Sequence, residues 1–524
     1  MSRLSRGCLR CRQRRVKCDQ GKPSCQRCIN RNEVCEGYRD ETSKVIENAA
    51  STAMMSPESA SSRASRRRSR SVEGSSPRPT PAMDRTGALG SSEIQTAQPH
   101  ASKRLPWIKQ RPKEVQTTLG DDAVDSFMEN YVMYPCSETS SPGFLEHLPC
   151  LFKEVNVEGR HALRWAVQAA GYADICGAQS DREIEKRAFE CYGLSLNALG
   201  ESLSAPGKVP DDYDLMTVVV LDIFETLFID DPTTRGMHAQ GMAHILRLRG
   251  HDQIYNTRGW SLFRLAHHRI QKQQLAYRLN PTEGPSDTLD RLNDDVACVR
   301  LEKDACKISQ TCQRARDLQE ALERNDVPAA EILEVVHELL NLDREVLSWR
   351  KTPRWSYKTV ALSDLPSFDH PVRPPTQVVE LHADIWMAYE WNYSRAARII
   401  AHEHLLQCLT AALASADLDT AMVDTLCSLI RETTLTIQTL ADEILATVPQ
   451  SLGDIDRIGR IHDAEAGPAR CRGIGGYLLL WPIKIIKGPE SSTRSDQKLN
   501  GQMVFERIRK YTGMKSHLGT LSSI

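Results

Sequence analysis

No run of about eighteen apolar residues occurs in this 524-residue chain, so no membrane-spanning helix is expected. The most apolar stretch, Gly475 to Ile486, is short and is interrupted by Pro482 and Lys484. Signatures of catalysis are missing as well. There is no G-x-S-x-G nucleophile turn and no glycine-rich phosphate loop following a strand. His402-Glu403-His404 sets two imidazoles at i, i+2, on different faces of a helix, where they cannot share a metal as H-E-x-x-H does. The adjacent pair His267-His268 is no better placed. These absences argue against an enzyme. Alternating apolar and polar residues, the mark of half-buried strands, are not seen over any length. Residues 1–7 are polar and basic, so no secretory leader is expected.

Net charge is also nearly absent, at −1 overall, but this value hides an asymmetry. Residues 1–113 hold 24 basic and 10 acidic side chains, a net of +14, whereas the remainder holds 43 and 58, a net of −15. A basic head on an acidic body directs the head toward nucleic acid and keeps the body away from it.

What the chain does have is six cysteines near its start: Cys8, Cys11, Cys18, Cys25, Cys28 and Cys35. Their spacing is C-x2-C-x6-C-x6-C-x2-C-x6-C, two copies of one half-motif joined by a spacer. Thiolates bind Zn²⁺ tightly, and structural zinc takes four ligands. Two ions need eight coordination positions, which six thiols supply only if two sulfurs are shared. The expectation is a cluster of two Zn²⁺ ions with two bridging cysteines. So short a segment has almost no apolar core, and metal ligation must supply most of its folding free energy. A disulfide framework suits secreted proteins, but the missing leader counts against it. Iron–sulfur sites use other spacings.

The residues between these ligands are basic. Arg10, Arg12, Arg14, Arg15 and Lys17 crowd the first half-motif, and residues 1–40 carry 11 Lys+Arg against 4 Asp+Glu. Two Zn²⁺ with six thiolates total −2, which needs only part of this excess. The rest suits a phosphate backbone, whose neutralisation releases counterions. Arginine can also read guanine bidentately in the major groove.

The run Gly7 to Cys28, G-C-L-R-C-R-Q-R-R-V-K-C-D-Q-G-K-P-S-C-Q-R-C, resembles the fungal Zn2Cys6 binuclear-cluster transcription factors. Pro23, in the loop between the half-motifs, and Gly37-Tyr38 after the last ligand also match. The resemblance implies that Cys8 and Cys25 bridge the metals. It implies that the basic pair Arg14 and Arg15 reads a CGG-like triplet, although the family often has lysine there. A short helix near Leu9 to Arg15 would then lie in the major groove, with Lys17, Arg12 and Arg10 on phosphates.

Residues 41–120 read as a disordered Ser/Pro/Arg-rich linker, too poor in apolar residues to offset its ordering entropy. Within it, Arg63 to Arg70 is a basic run that suits either nuclear import or a solvated patch. Residues 39–60 show no heptads, so no coiled coil follows the cluster.

Helical spacing begins near residue 121 and continues to the end, predicting a large all-α domain over 121–524. Val124, Phe127, Met128 and Tyr131 recur at i, i+3, i+4, i+7. Asp211 and Asp212 suit a helix N-terminus, and Gly250 ends a helix over Met237 to Leu248. Further helices are predicted over Arg291 to Glu323, Ala329 to Trp349, Thr376 to Ala414 and Thr420 to Leu445, the last two as the centre of a bundle. Three segments resemble the fungal-specific transcription factor domain of the second type. They are Tyr192 with Ala198, Leu199 and Leu203; Asp222 to Glu225; and His238 with Gly241, Ile245, Leu246 and Arg249-Gly250. Leu480 to Ile483 resembles a motif near the end of that domain. The likeness is patchy and implies an α-helical regulatory region.

The expected whole is a nuclear, zinc-dependent, sequence-specific DNA-binding regulator of RNA polymerase II transcription acting on metabolic genes. Its expected partners are double-stranded DNA, a second copy of the chain, coregulators and a small-molecule effector, with no membrane. The alternative is a zinc-cluster interaction or corepressor module with only non-specific DNA affinity. The ten remaining cysteines lack C-x2-C spacing and read as buried thiols. Trp165, Trp260, Trp386, Trp391 and Trp481 read as core packing.

Overall fold

The computed structural model describes residues 11, 16, 18, 26–31 and 118–514, the last with breaks at 137–141, 155–159, 180, 230–236, 278–284, 294–298, 325–328, 349–354, 366–373, 375, 415–418 and 463–471. The chain divides into two units, Met1–Pro106 and Trp107–Ile524. In the first, the described residues include one short helix, α1 (Gln26–Ile29). The linker read over 41–120 lies outside the described residues except for its last three, and the basic run Arg63 to Arg70 lies wholly outside them.

The second unit is built of helices. In order these are α2 (Leu119–Tyr131), α3 (Leu148–Glu154), α4 (His161–Gln179), α5 (Arg182–Ser204), α6 (Asp212–Phe228), α7 (Met237–Arg249), α8 (Thr257–Tyr277), α9 (Pro285–Leu289), α10 (Val299–Glu323) and α11 (Ala329–Ser348). Strands β1 (Lys358–Ala361) and β2 (Val378–Leu381) follow. The chain then continues through α12 (Ile385–Leu413), α13 (Thr420–Ala446), α14 (Val448–Ser451), α15 (Arg472–Lys487) and α16 (Ser495–Thr512). No helix among the described residues is long and apolar enough to cross a membrane.

Local chemistry sets the helix starts. Thr118 caps α2 and shares a reciprocal capping box with Asp121. Asp211 caps α6, accepting the amides of Tyr213 and Asp214, while Asp214 accepts the amide of Asp211 in return. Those carboxylates stand where the helix dipole favours negative charge, as the sequence led us to expect. Gly250 ends α7 with φ +70°, a conformation that disfavours side chains with a Cβ.

The helices pair as antiparallel neighbours, α4 with α5, α12 with α13 and α15 with α16. One continuous core unites most of them, with Phe127, Tyr131, Phe224, Phe263, Trp386 and Tyr477 among its buried side chains. Two close approaches need glycine. A Cβ on Gly171 of α4 would collide with the Ala123 carbonyl of α2, and one on Gly475 of α15 with the Ser451 carbonyl of α14.

Three expectations change. The unit is not wholly α-helical: β1 and β2 pair antiparallel, with Thr359 opposite Glu380 and Val360 opposite Val379. Residues 376–384 are therefore not helix. Val378-Val379 suits the pleat, and Asp384 caps the following helix by accepting the Met387 amide at 2.8 Å, which fixes its start at Ile385. Of the helix expected from Arg291 to Glu323, residues 291–293 are not helical and the described helix is Val299–Glu323. Finally, α12 is central and mostly buried, with Gln407 and Thr410 exposed, but α13 is not: it hides Leu426, Ile437, Leu440 and Ile444 and leaves Leu435 62% exposed. Its apolar residues form one stripe, the pattern of a surface helix.

Candidate metal centre and nucleic-acid interface

Of the six cysteines, Cys11, Cys18 and Cys28 are described; Cys8, Cys25 and Cys35 lie outside the described residues. Cys11 and Cys28 occupy equivalent positions, each second in its C-x2-C pair. Both are helical and both are 3% exposed. The Cys11 carbonyl accepts the amide of Val16, five residues on, at 3.0 Å, and the Cys28 carbonyl accepts that of Arg31, three residues on, at 3.1 Å. Cys18 is half-buried. Gln26 Nε2 donates to Asn30 Oδ1 at 3.1 Å along the outer side of α1.

This pseudo-symmetry fits zinc. Two thiols are buried in a segment whose neighbouring described side chains, Val16, Gln26, Asn30 and Arg31, are exposed. Ligation of a metal accounts for burying thiols in so short a segment. Among the described residues no group of three or more His, Cys, Asp or Glu side chains gathers as a metal site, and half of the thiol set is not among them. The candidate DNA contacts Arg10, Arg12, Arg14, Arg15 and Lys17 also lie outside the described residues.

Residues 6–45 match the family described as the fungal Zn(2)-Cys(6) binuclear cluster domain. Residues 6–45 are such a domain. Short segments of curated proteins align with this chain. The transcriptional regulatory protein moc3 of Schizosaccharomyces pombe is 46% identical over 43 residues, 8% of this chain and 8% of that protein. White-opaque regulator 2 of Candida albicans is 50% identical over 38 residues, 7% of this chain and 8% of that protein. An uncharacterised S. pombe transcriptional regulatory protein is 56% identical over 36 residues, 7% of each chain. The match thus spans under a tenth of the length of these relatives. No solved structure matches the chain.

The zinc-cluster domain is followed by a helical unit whose motif residues do meet. Glu225 Oε1 accepts from Tyr192 Oη at 2.5 Å and lies 2.7 Å from His238 Nε2, so the three segments singled out in the sequence converge on one carboxylate. Tyr192 also stacks on Phe224, with centroids 5.0 Å apart. Burial first, then the Glu225 carboxylate, pushes the Tyr192 phenol well above its ordinary value and so keeps it protonated and donating. Arg249 bonds Asp212 and the Pro210 carbonyl. These are packing contacts that join α5, α6 and α7.

Neither histidine pair belongs to a group of three or more possible metal ligands among the described residues. His402 lies 3.3 Å from Asp343, while Glu403 accepts from Ser491 and Ser492. His267 and His268, however, both turn inward onto Glu302. Sequence reading weighed that pair only as metal ligands and missed it as part of a buried ionic network. The tryptophans are packed, with Trp386 and Trp481 buried. Cys176, Cys191, Cys306, Cys312 and Cys408 are buried as expected; Cys150 is exposed.

Proposed function

We propose that the chain is a zinc-dependent, sequence-specific DNA-binding transcription factor. The observation that carries this reading is the six-cysteine double half-motif, dense in arginine and matched over residues 6–45 to the binuclear-cluster family. Its relatives bear the names of transcriptional regulators.

In this reading all six cysteines hold two Zn²⁺, with Cys8 and Cys25 shared. The metal ions supply the folding free energy of a segment that cannot supply its own. Arg14 and Arg15 read guanines in a CGG-like triplet, and Lys17, Arg12 and Arg10 hold phosphates. One module touches few bases, and a useful site demands more discrimination than that. Pairing with a second copy through the helical unit provides it. The segments 1–40, 41–120 and 121–524 then act as reader, linker and regulatory body, in the nucleus, on RNA polymerase II genes of metabolism.

The deciding experiment is selection from a randomised duplex pool at two salt concentrations. Enrichment of CGG-like triplets at both is the expected result. Uniform binding that collapses as salt rises would instead mark a module with non-specific affinity.

A further inference from the structure

Helices α8 and α10 bring three polar side chains onto one sulfur. Cys306 Sγ lies 3.4 Å from His267 Nε2 and accepts from Gln271 Nε2 at 3.4 Å. Those two nitrogens are 3.3 Å apart, so the three atoms form a nearly equilateral triangle. The far side of the imidazole is fixed, with His267 Nδ1 2.5 Å from Glu302 Oε2. Helical spacing builds this arrangement. His267 and Gln271 stand at i, i+4 on α8, and Glu302 and Cys306 at i, i+4 on α10, so each pair shares a face and the two faces meet. A thiol beside an imidazole that a carboxylate orients has the parts of an activated cysteine: nucleophile, base and orienting group.

Other buried thiols of the unit have a different setting. Cys312 and Cys408 are 0% exposed, and burial pushes their thiols up to about 12 and about 11, where the nucleophilic thiolate is scarce. Cys176 donates to the Asp181 carbonyl at 3.2 Å. Cys306 keeps 7% exposure, an opening suited to a reagent little larger than water. A second feature points to what the sulfur becomes. Gln271 is 4% exposed, and its Oε1, on the amide that already touches Sγ, has no hydrogen-bond partner. Buried carbonyl oxygens are normally satisfied. A hydroxyl carried on Sγ would supply the missing donor.

We propose that Cys306 is a modification site, oxidised by a small hydroperoxide to a sulfenic acid. The sulfur attacks one peroxide oxygen, and an S–O bond forms as the O–O bond breaks. The leaving oxygen departs as water, or as an alcohol from an alkyl hydroperoxide, and takes with it the proton shared by Cys306 and His267. Sulfur gives up two electrons and the peroxide accepts them. Glu302 holds the imidazole so that Nε2 faces the reacting sulfur. The new S–OH then donates to Gln271 Oε1, which keeps the product in place.

The test treats the zinc-loaded full-length chain with hydrogen peroxide for increasing times. Each sample is quenched with catalase and unfolded in dimedone, which labels sulfenic acids, and every cysteine peptide is read separately by mass spectrometry. The label should accumulate at Cys306 at least about tenfold faster than at Cys312 or Cys408. His267→Gln should slow labelling of Cys306 by about tenfold or more, the loss of the proton-transfer partner, without changing the rates at Cys312 and Cys408. If that variant does not melt cooperatively, Gln271→Leu takes its place and should slow Cys306 in the same way, because it removes the donor to sulfur and the acceptor for the product. Labelling of Cys306 no faster than that of Cys312 and Cys408 overturns the proposal. So does fast labelling that the folded variant leaves unchanged, which would trace to exposure alone.

Discussion

His267 and Glu302 form a buried ion pair in the helical unit, Nδ1 2.5 Å from Oε2, with side chains 0% and 1% exposed. It joins α8 to α10. The same carboxylate lies 3.4 Å from His268, and Cys306 Sγ lies 3.4 Å from His267 Nε2. Burial opposes the charge on both partners. The neighbours outweigh it, holding His267 well above the ordinary imidazole range, about 10, and Glu302 well below the usual carboxylate range.

Removing one partner of such a pair leaves a charge buried without compensation. Glu302→Leu should therefore destabilise the unit by about 3–5 kcal/mol in urea unfolding, and the double variant with His267→Phe should recover much of the loss. A single-variant loss no larger than that of an exposed substitution would show that the pair is not held in this geometry.

The pH dependence carries two opposing contributions. Lys272 titrates near 7 when folded and near its ordinary value when unfolded, so the unfolded chain binds more protons between about pH 7 and 10 and stability rises with pH. His267 is raised, so its stabilisation is complete below its unfolded value and is lost as pH climbs toward about 10. The two slopes offset each other in the native chain. Lys272→Met removes the rising one, and urea midpoints taken across pH 7 to 10 should then decline. A profile that remains parallel to that of the native chain would contradict the assignment for Lys272.

Zinc removal should act on the first unit alone. Native mass spectrometry is expected to count two ions per chain. Chelation should abolish protease protection of residues 1–40 while the helical unit keeps its melting transition. Cys25→Ser, removing a proposed shared sulfur, should lower zinc occupancy more than any change outside the six thiols. Retention of two ions by that variant would remove Cys25 from the bridging role.

Arg15→Ala should cost about 1–3 kcal/mol of binding to a CGG-like site and relax preference at one base position. Lys17→Ala should weaken binding to all duplexes alike and flatten the salt dependence by about one counterion. Identical base preference in the Arg15 variant would show that another residue reads that position.

How much was legible beforehand follows from distance along the chain. The zinc-cluster domain was readable because the cysteine spacing is itself the signal, with every thiol within 28 positions of the first. The start of α6 was readable for the same reason: Asp211, picked out with Asp212, caps the helix in a box with Asp214, through atoms three residues apart. The β pair was missed because four-residue strands are too short for alternation to register, and β2 is defined by pairing with β1 about 20 positions earlier. The patchy motifs pointed to Tyr192, Glu225 and His238, yet their meeting spans 33 and 13 positions and appears only once α5, α6 and α7 are packed.

The sequence by itself determined a zinc-cluster domain on a basic segment, and a long helical body, because cysteine spacing, charge and helical period are local properties. Only tertiary structure decided what the body contains. His267 reaches Glu302 across 35 positions and Arg269 reaches Tyr477 across 208. The row Arg264, His268 and Lys272 is an ordinary basic helix face until packing against α6, α12 and α15 buries it. The physical reason is desolvation: in water such charges cost nothing, and inside a protein each one needs a partner.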